Sequence, residues 1–171
     1  LADFALSCQI VEMDIAVPSD DCYDLLGRPD VLIHLAWDGL PNYKSLHHFE
    51  TELPRQFFFL KKIIDAGLPE LFVTGTCFEY GMQSGALAAD MLTKPDNPYG
   101  YAKDALRQQL EFLKAHKYFN LTWARLFYMY GEGQPSTSLY PKLKEAVLNK
   151  ELVFNMSGSE QLRDYLPVHD V

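Results

Sequence analysis

The chain has 171 residues, of which 48% are hydrophobic and 22% charged, enough for a domain with a real core and unlike a low-complexity segment. A net charge of −8, with arginines scattered from Arg28 to Arg163, argues against a nucleic-acid partner, because phosphate binding needs clustered Lys and Arg. No apolar run approaches the ~20 residues of a membrane helix, no signal peptide begins the chain, and three cysteines (Cys8, Cys22, Cys77) without metal-ligand spacing point to a reduced, cytoplasmic protein.

Short apolar runs alternate with longer amphipathic ones. Ser7–Met13 reads as a strand, and Val31–Trp37 as another, nearly continuous in apolar residues as a strand buried on both faces should be. Leu46–Ala66 predicts a long helix, with Leu53, Phe57, Leu60 and Ile64 spaced by three and four; Gly67 is a good stop, with Pro69 just beyond. Leu71–Thr74 is the next strand. A turn-rich stretch from Gly81 to Asn97 leads into a second long helix. Asn97 can cap it, Pro98 suits its first turn, and Leu106, Leu110 and Leu113 form one apolar stripe. Leu121–Met129 predicts a strand, Leu139–Leu148 a helix and Glu151–Phe154 a short strand. This alternation implies an α/β fold in which a doubly wound parallel sheet is covered on both faces.

Among the candidate chemical groups, a Tyr and a Lys four apart on a helix share one face, and the ammonium favours the phenolate. Spacing alone decides little, because the chain has ten tyrosines and two such pairs, Tyr99/Lys103 and Tyr140/Lys144. Context separates them. Tyr99 falls in the first turn of the second long helix, within Asn97-Pro98-Tyr99-Gly100-Tyr101-Ala102-Lys103. Thr76 follows a buried strand, and ligands of open α/β sheets sit beyond the carboxyl ends of strands. Thr76 could therefore hold a substrate oxygen beside Tyr99. Tyr140/Lys144 has no such hydroxyl and reads as a surface pair.

These residues carry a resemblance to the extended short-chain dehydrogenase/reductase family. Thr76 stands four residues before Tyr80-Gly81, and Pro98-Tyr99-x-x-x-Lys103 follows some twenty residues later. His34-Leu35-Ala36 resembles the family's strand end against the cofactor, and Asp14-Ile15 its adenine-contacting pair. Arg125-x-Phe127-x-x-Tyr130-Gly131, and Arg163-Asp164-Tyr165 with Val168-His169-Asp170-Val171, resemble the later strand and the substrate-side segment. Asp14 to Val171 is covered in family order.

The resemblance implies a Rossmann-like doubly wound sheet, with residues 1–130 a partial dinucleotide-binding domain and 131–171 the start of a substrate-binding region. It implies NAD or NADP as cofactor and a nucleotide-diphospho sugar as substrate, acted on most often at C4. Tyr99 would exchange the proton with the sugar oxygen, Lys103 would lower its pKa and hold the nicotinamide ribose, and Thr76 would position the oxygen. Asp14, Ile15, Leu35 and Ala36 would line the cofactor, and Arg163 would pair with the diphosphate, a task suited to a forked guanidinium. Family dehydratases carry Asp-Glu directly after the catalytic Thr, where this chain has Cys77 and Phe78; the members that epimerise beside the keto group carry Cys where Phe78 stands. C4 ketoreduction of a 6-deoxysugar is then the first reading and C4 epimerisation the second. The loop Trp37–Tyr43 resembles one in bacterial reductases that make deoxysugars for surface polysaccharide.

No Gly-x-x-Gly-x-x-Gly loop precedes Asp14. The expectation is a sheet incomplete at its N-terminus, with at least the ~30 residues of a βαβ unit preceding Leu1. A non-catalytic relative serving as a binding or dimerisation module is the alternative from another class. Other residues have duller readings: His34 as a core histidine rather than an acid, Cys77 as a small buried residue rather than a nucleophile, Tyr80 and Tyr101 as packing residues. Phe57-Phe58-Phe59 exceeds one helical stripe, consistent with a homodimer through the two long helices or with packing within one chain.

Overall fold

The computed structural model describes residues 8–156, 158 and 162–171. They divide into two compact units, one running to Arg125 and the other from Leu126 to Val171.

In the first unit, a short helix α1 (Cys22–Leu25) precedes strand β1 (Val31–His34). Helix α2 (Leu53–Asp65) is entered through one wider π turn, His48–Glu52. Strand β2 (Glu70–Thr76) ends in a single 3₁₀ turn, Cys77–Tyr80, and helix α3 (Pro98–Lys114) leads to β3 (Asn120–Leu126). The sheet order is β1-β2-β3, with β1 and β2 parallel and His34 opposite Val73. The expected parallel α/β class holds. Leu60 and Ile63 of α2, Leu71 and Val73 of β2, and Leu106 and Leu110 of α3 form one core at 0–2% exposure. Each such side chain contributes roughly 1.5–3 kcal/mol by leaving water.

Several expected elements are revised. Residues 8–13 form no strand and are mostly exposed, and Ser7 lies outside the described residues. β1 stops at His34, three residues earlier than expected, and Val31 and Ile33 are exposed, so this strand is buried on one face only. The period-2 signal was masked because apolar residues occupy both faces.

In the second unit, β4 (Tyr128–Tyr130) pairs in parallel with β5 (Tyr165–Pro167), and helix α4 (Leu139–Leu148) lies between them in sequence. The single strand expected over Leu121–Met129 is thus two strands broken at Phe127. No strand forms at Glu151–Phe154.

Candidate active site

Helix α3 begins where the sequence predicts. Asn97 has extended backbone, its side-chain oxygen accepts from the Gly100 amide at 2.9 Å, and Pro98 occupies the first turn. The buried stripe of α3 then runs Tyr99, Lys103, Leu106, Leu110, Leu113. Tyr99 and Lys103 therefore continue the core stripe toward the helix N-terminus, which is why a lysine comes to be 2% exposed.

Two features bring Thr76 to Tyr99. Thr76 ends β2 and accepts the Phe78 amide at 3.3 Å, while the Glu79 carboxylate accepts the Thr76 amide at 2.9 Å. This is a reciprocal capping box. Gly100 lets α3 approach that turn, since a Cβ at Gly100 would lie 2.6 Å from the Phe78 carbonyl oxygen. The result sets Thr76 beside Tyr99, close enough for its hydroxyl to act on the phenol. The Tyr99 amide also donates to the Tyr43 carbonyl at 3.2 Å, tying the 37–43 loop to the same helix turn.

Burial pushes the Tyr99 phenol up to about 12, reinforced by Tyr43 and Glu79 and opposed by the Thr76 hydroxyl. Burial brings Lys103 down to about 8, with Glu79 acting against it. Tyr99 lies among aromatic rings, with centroids of His48, Tyr43 and Trp37 at 5.2, 5.6 and 5.9 Å. A phenol so placed holds its proton at neutral pH and can give it to an oxygen bound beside Thr76.

The structure thus brings Thr76, Tyr99 and Lys103 together at the carboxyl end of β2. His34 is buried, with Nε2 2.8 Å from Gln56 Oε1, and among the described residues its Nδ1 has no partner. Burial, then the Lys103 charge, brings it down to about 4, so the ring is neutral. Leu35 and Ala36 follow β1 and are exposed. Asp14 is exposed in a turn where its carboxylate accepts the Ala16 amide at 2.9 Å, and Ile15 packs against the core. Arg163 belongs to the second unit, its guanidinium 4.3 Å from the Tyr128 ring centroid. That unit also holds an open cavity of about 460 Å³ bounded by Tyr128, Tyr130, Gln134 and Tyr165. Tyr140 and Lys144 are exposed on α4. Cys77 is half-buried rather than enclosed.

Glu79 was not singled out by the sequence reading. It is fully buried, accepts Arg125 Nε at 2.6 Å and takes the Trp123 indole hydrogen bond at 3.0 Å. The available signal was Thr76-x-x-Glu79, the capping-box spacing. Tyr80 is buried, and its hydroxyl accepts from Arg125 at 3.1 Å, whereas Tyr101 is half-exposed beside Phe49.

A parallel α/β unit with a Thr at a strand end and a Tyr-x-x-x-Lys on the following helix is the arrangement expected of a short-chain-dehydrogenase type of site. Residues 2–171 match the model of the NAD dependent epimerase/dehydratase family, and the chain belongs to that family. A dTDP-6-deoxy-L-talose 4-dehydrogenase (NAD(+)) of Aggregatibacter actinomycetemcomitans is 29% identical over 157 residues, covering 91% of this chain and 58% of that protein. A GDP-6-deoxy-D-talose 4-dehydrogenase of the same organism is 28% identical over 149 residues, covering 84% of this chain and 49% of that one. The chain thus spans about half the length of the curated relatives it matches. Among solved structures, MoeE5 in complex with UDP-glucuronic acid and NAD superposes with a TM-score of 0.75 at 26% identity over 94% of this chain and 55% of that one. A Bacillus cereus UDP-glucuronic acid 4-epimerase reaches 0.77 at 23% identity over 95% of this chain and 52% of that one, a likeness of fold. Among the described residues no helix is long and apolar enough to cross a membrane.

Proposed function

We propose that the protein carrying this chain is an NAD-dependent oxidoreductase acting at C4 of a nucleotide-diphospho sugar, as a 4-keto-6-deoxysugar reductase or, run in reverse, a 4-dehydrogenase. The observation that carries this is the buried Thr76–Tyr99–Lys103 group, with the phenol protonated at neutral pH. Both curated relatives bear the name of a 6-deoxytalose 4-dehydrogenase, the same carbon and the same redox pair.

The polypeptide's part is proton handling and positioning. In reduction, the Tyr99 phenol gives its proton to the oxygen at C4 while the Thr76 hydroxyl holds that oxygen. The Lys103 ammonium then stabilises the phenolate left behind. In the oxidative direction the phenolate takes the proton from the C4 hydroxyl. NAD, when bound, supplies the hydride chemistry at the carbon, which side chains cannot. The residues present fit such a cofactor: among the described residues the buried His34 Nδ1 at the end of β1 has no hydrogen-bond partner, and Leu35 and Ala36, which follow it, are exposed. Asp14 and Ile15 would serve its adenine end, and Arg163 the sugar nucleotide's diphosphate. Exposed Phe58 on α2 and Phe112 on α3 support a homodimer through these two helices. Synthesis of a surface polysaccharide in the cytoplasm is the setting such a reductase serves.

The test is Tyr99→Phe in the full-length protein, assayed with NADH on 4-keto-6-deoxy sugar nucleotides. Turnover is expected to fall about 10²–10⁴-fold with NADH binding retained. Unchanged turnover overturns the assignment.

A further inference from the structure

The chain has two tryptophans, and both stand against one ammonium. Lys103 Nζ lies 4.5 Å from the Trp37 ring centroid and 5.6 Å from that of Trp123, inside the ~6 Å reach of a cation–π contact. Lys103 is 2% exposed. Among the described residues no carboxylate forms an ion pair with it, and Glu79, the acid whose field reaches it, is held by Arg125 at 2.6 Å.

Neither indole is free to turn. Trp123 Nε1 donates to the two Glu79 oxygens at 3.0 and 3.1 Å. Gly75 makes room for this, since a Cβ there would lie 2.2 Å from that nitrogen. Trp37 Nε1 donates to His48 Nδ1 at 3.1 Å. An indole nitrogen only donates, so His48 Nδ1 accepts and the ring hydrogen sits on Nε2, which donates to the Asn42 carbonyl at 2.9 Å. His48 is fully buried, and its ring also lies 5.2 Å from that of Tyr99.

We propose that Trp37 and Trp123 are positioning residues whose ring faces stand in for a counter-ion to Lys103, with His48 and Glu79 fixing the two rings in that orientation. The electrostatic reason is the absence of net negative charge in a ring face. A carboxylate beside Lys103 would hold the ammonium but cancel most of its field at Tyr99. A quadrupole stabilises the ammonium and leaves its positive field to act on the phenolate. The inference rests on Tyr99 and Lys103 being the catalytic pair only for its consequence; the cage is a property of Lys103 itself.

The test follows Lys103 directly. The full-length protein is labelled biosynthetically with ¹³C-lysine, the Lys103 Cε resonance is assigned by its loss in Lys103→Arg, and its titration is followed in wild type, Trp37→Leu, Trp37→Phe and Trp123→Phe. In Trp37→Leu the Lys103 midpoint is expected to fall by about one pH unit, a tenfold loss of ammonium at fixed pH. Trp37→Phe keeps a ring face and is expected to fall by less. An unchanged midpoint in Trp37→Leu overturns the cage; should that variant fail to fold, unchanged midpoints in both Trp37→Phe and Trp123→Phe overturn it equally. Turnover is not the readout, so the two readings fail separately. A protein inactive on every 4-keto sugar nucleotide whose Lys103 midpoint still falls in Trp37→Leu loses the proposed reaction and keeps the cage.

Discussion

Replacing Lys103 by Met removes the buried ammonium and keeps an unbranched stem. Burial brings this lysine from an ordinary 10.5 down to about 8, against the opposing pull of Glu79. A difference of about 2.5 pH units corresponds to roughly 3 kcal/mol by which the folded state disfavours the ammonium. The sign follows from proton counting. Below pH 8 the folded and unfolded chains both carry the proton, so the penalty is wholly present at neutral pH. Between about 8 and 10.5 the unfolded chain binds more protons than the folded one, so stability rises with pH and the penalty fades.

Methionine carries no such penalty. Lys103→Met is therefore expected to gain on wild type at pH 7, less whatever the lost contacts with Trp37 and Trp123 contributed, about 0.5–2 kcal/mol. The sharper quantity is how that gap changes. It should close by about 2 kcal/mol between pH 7 and pH 9.5, a window chosen below the ordinary tyrosine range. Urea unfolding of both proteins at the two pH values measures it, and effects of other groups cancel in the difference. A gap constant to within about 0.5 kcal/mol would refute the reasoning, because it would mean that Lys103 titrates where an exposed lysine does.

Glu79→Gln removes a fully buried carboxylate from its pair with the partly buried Arg125 and weakens the acceptor for the Thr76 amide and the Trp123 indole. A loss of roughly 3–5 kcal/mol is expected in urea unfolding, since a guanidinium is left uncompensated. Gly100→Ala places a methyl 2.6 Å from the Phe78 carbonyl oxygen. It should cost about 1–3 kcal/mol despite the better helix propensity of alanine, and should lower turnover in the full-length protein by displacing Tyr99 from Thr76.

The sequence made the helices legible because their signals are local. Asn97-Pro98 and the stripe of Leu106, Leu110 and Leu113 place α3, and Leu139–Leu148 matches α4 residue for residue. Strand ends were less legible. The apolar run beyond His34 looks like strand whether or not a neighbour pairs with it, and Phe127 interrupts a run whose side chains all favour extended backbone. The start expected at Leu46 lies two residues before the π turn at His48 and seven before α2 at Leu53, because the chain enters α2 through a π turn that no local pattern marks. In the site, Thr76, Tyr99 and Lys103 could be named because their spacing is a motif. Glu79, His48 and the two tryptophans could not, since what makes them matter is a set of contacts between residues up to 66 apart in sequence, such as Trp37 with Lys103.

The same contacts would let the proposed site serve proton transfer in either direction. Tyr99 alone, pushed up to about 12, is a proton donor at neutral pH and a poor base. The neighbouring Thr76 hydroxyl is the contribution that lowers it, and a substrate oxygen bound at that hydroxyl would compete for the same interaction. The remaining lever is Lys103, whose charge is retained at neutral pH only because its fall stops at about 8. A deeper fall would leave a neutral amine beside Tyr99 and no field to stabilise a phenolate. Burial therefore works against the lysine as much as it excludes water from the phenol, and the indole faces of Trp37 and Trp123 offset it without placing a negative charge between the two groups.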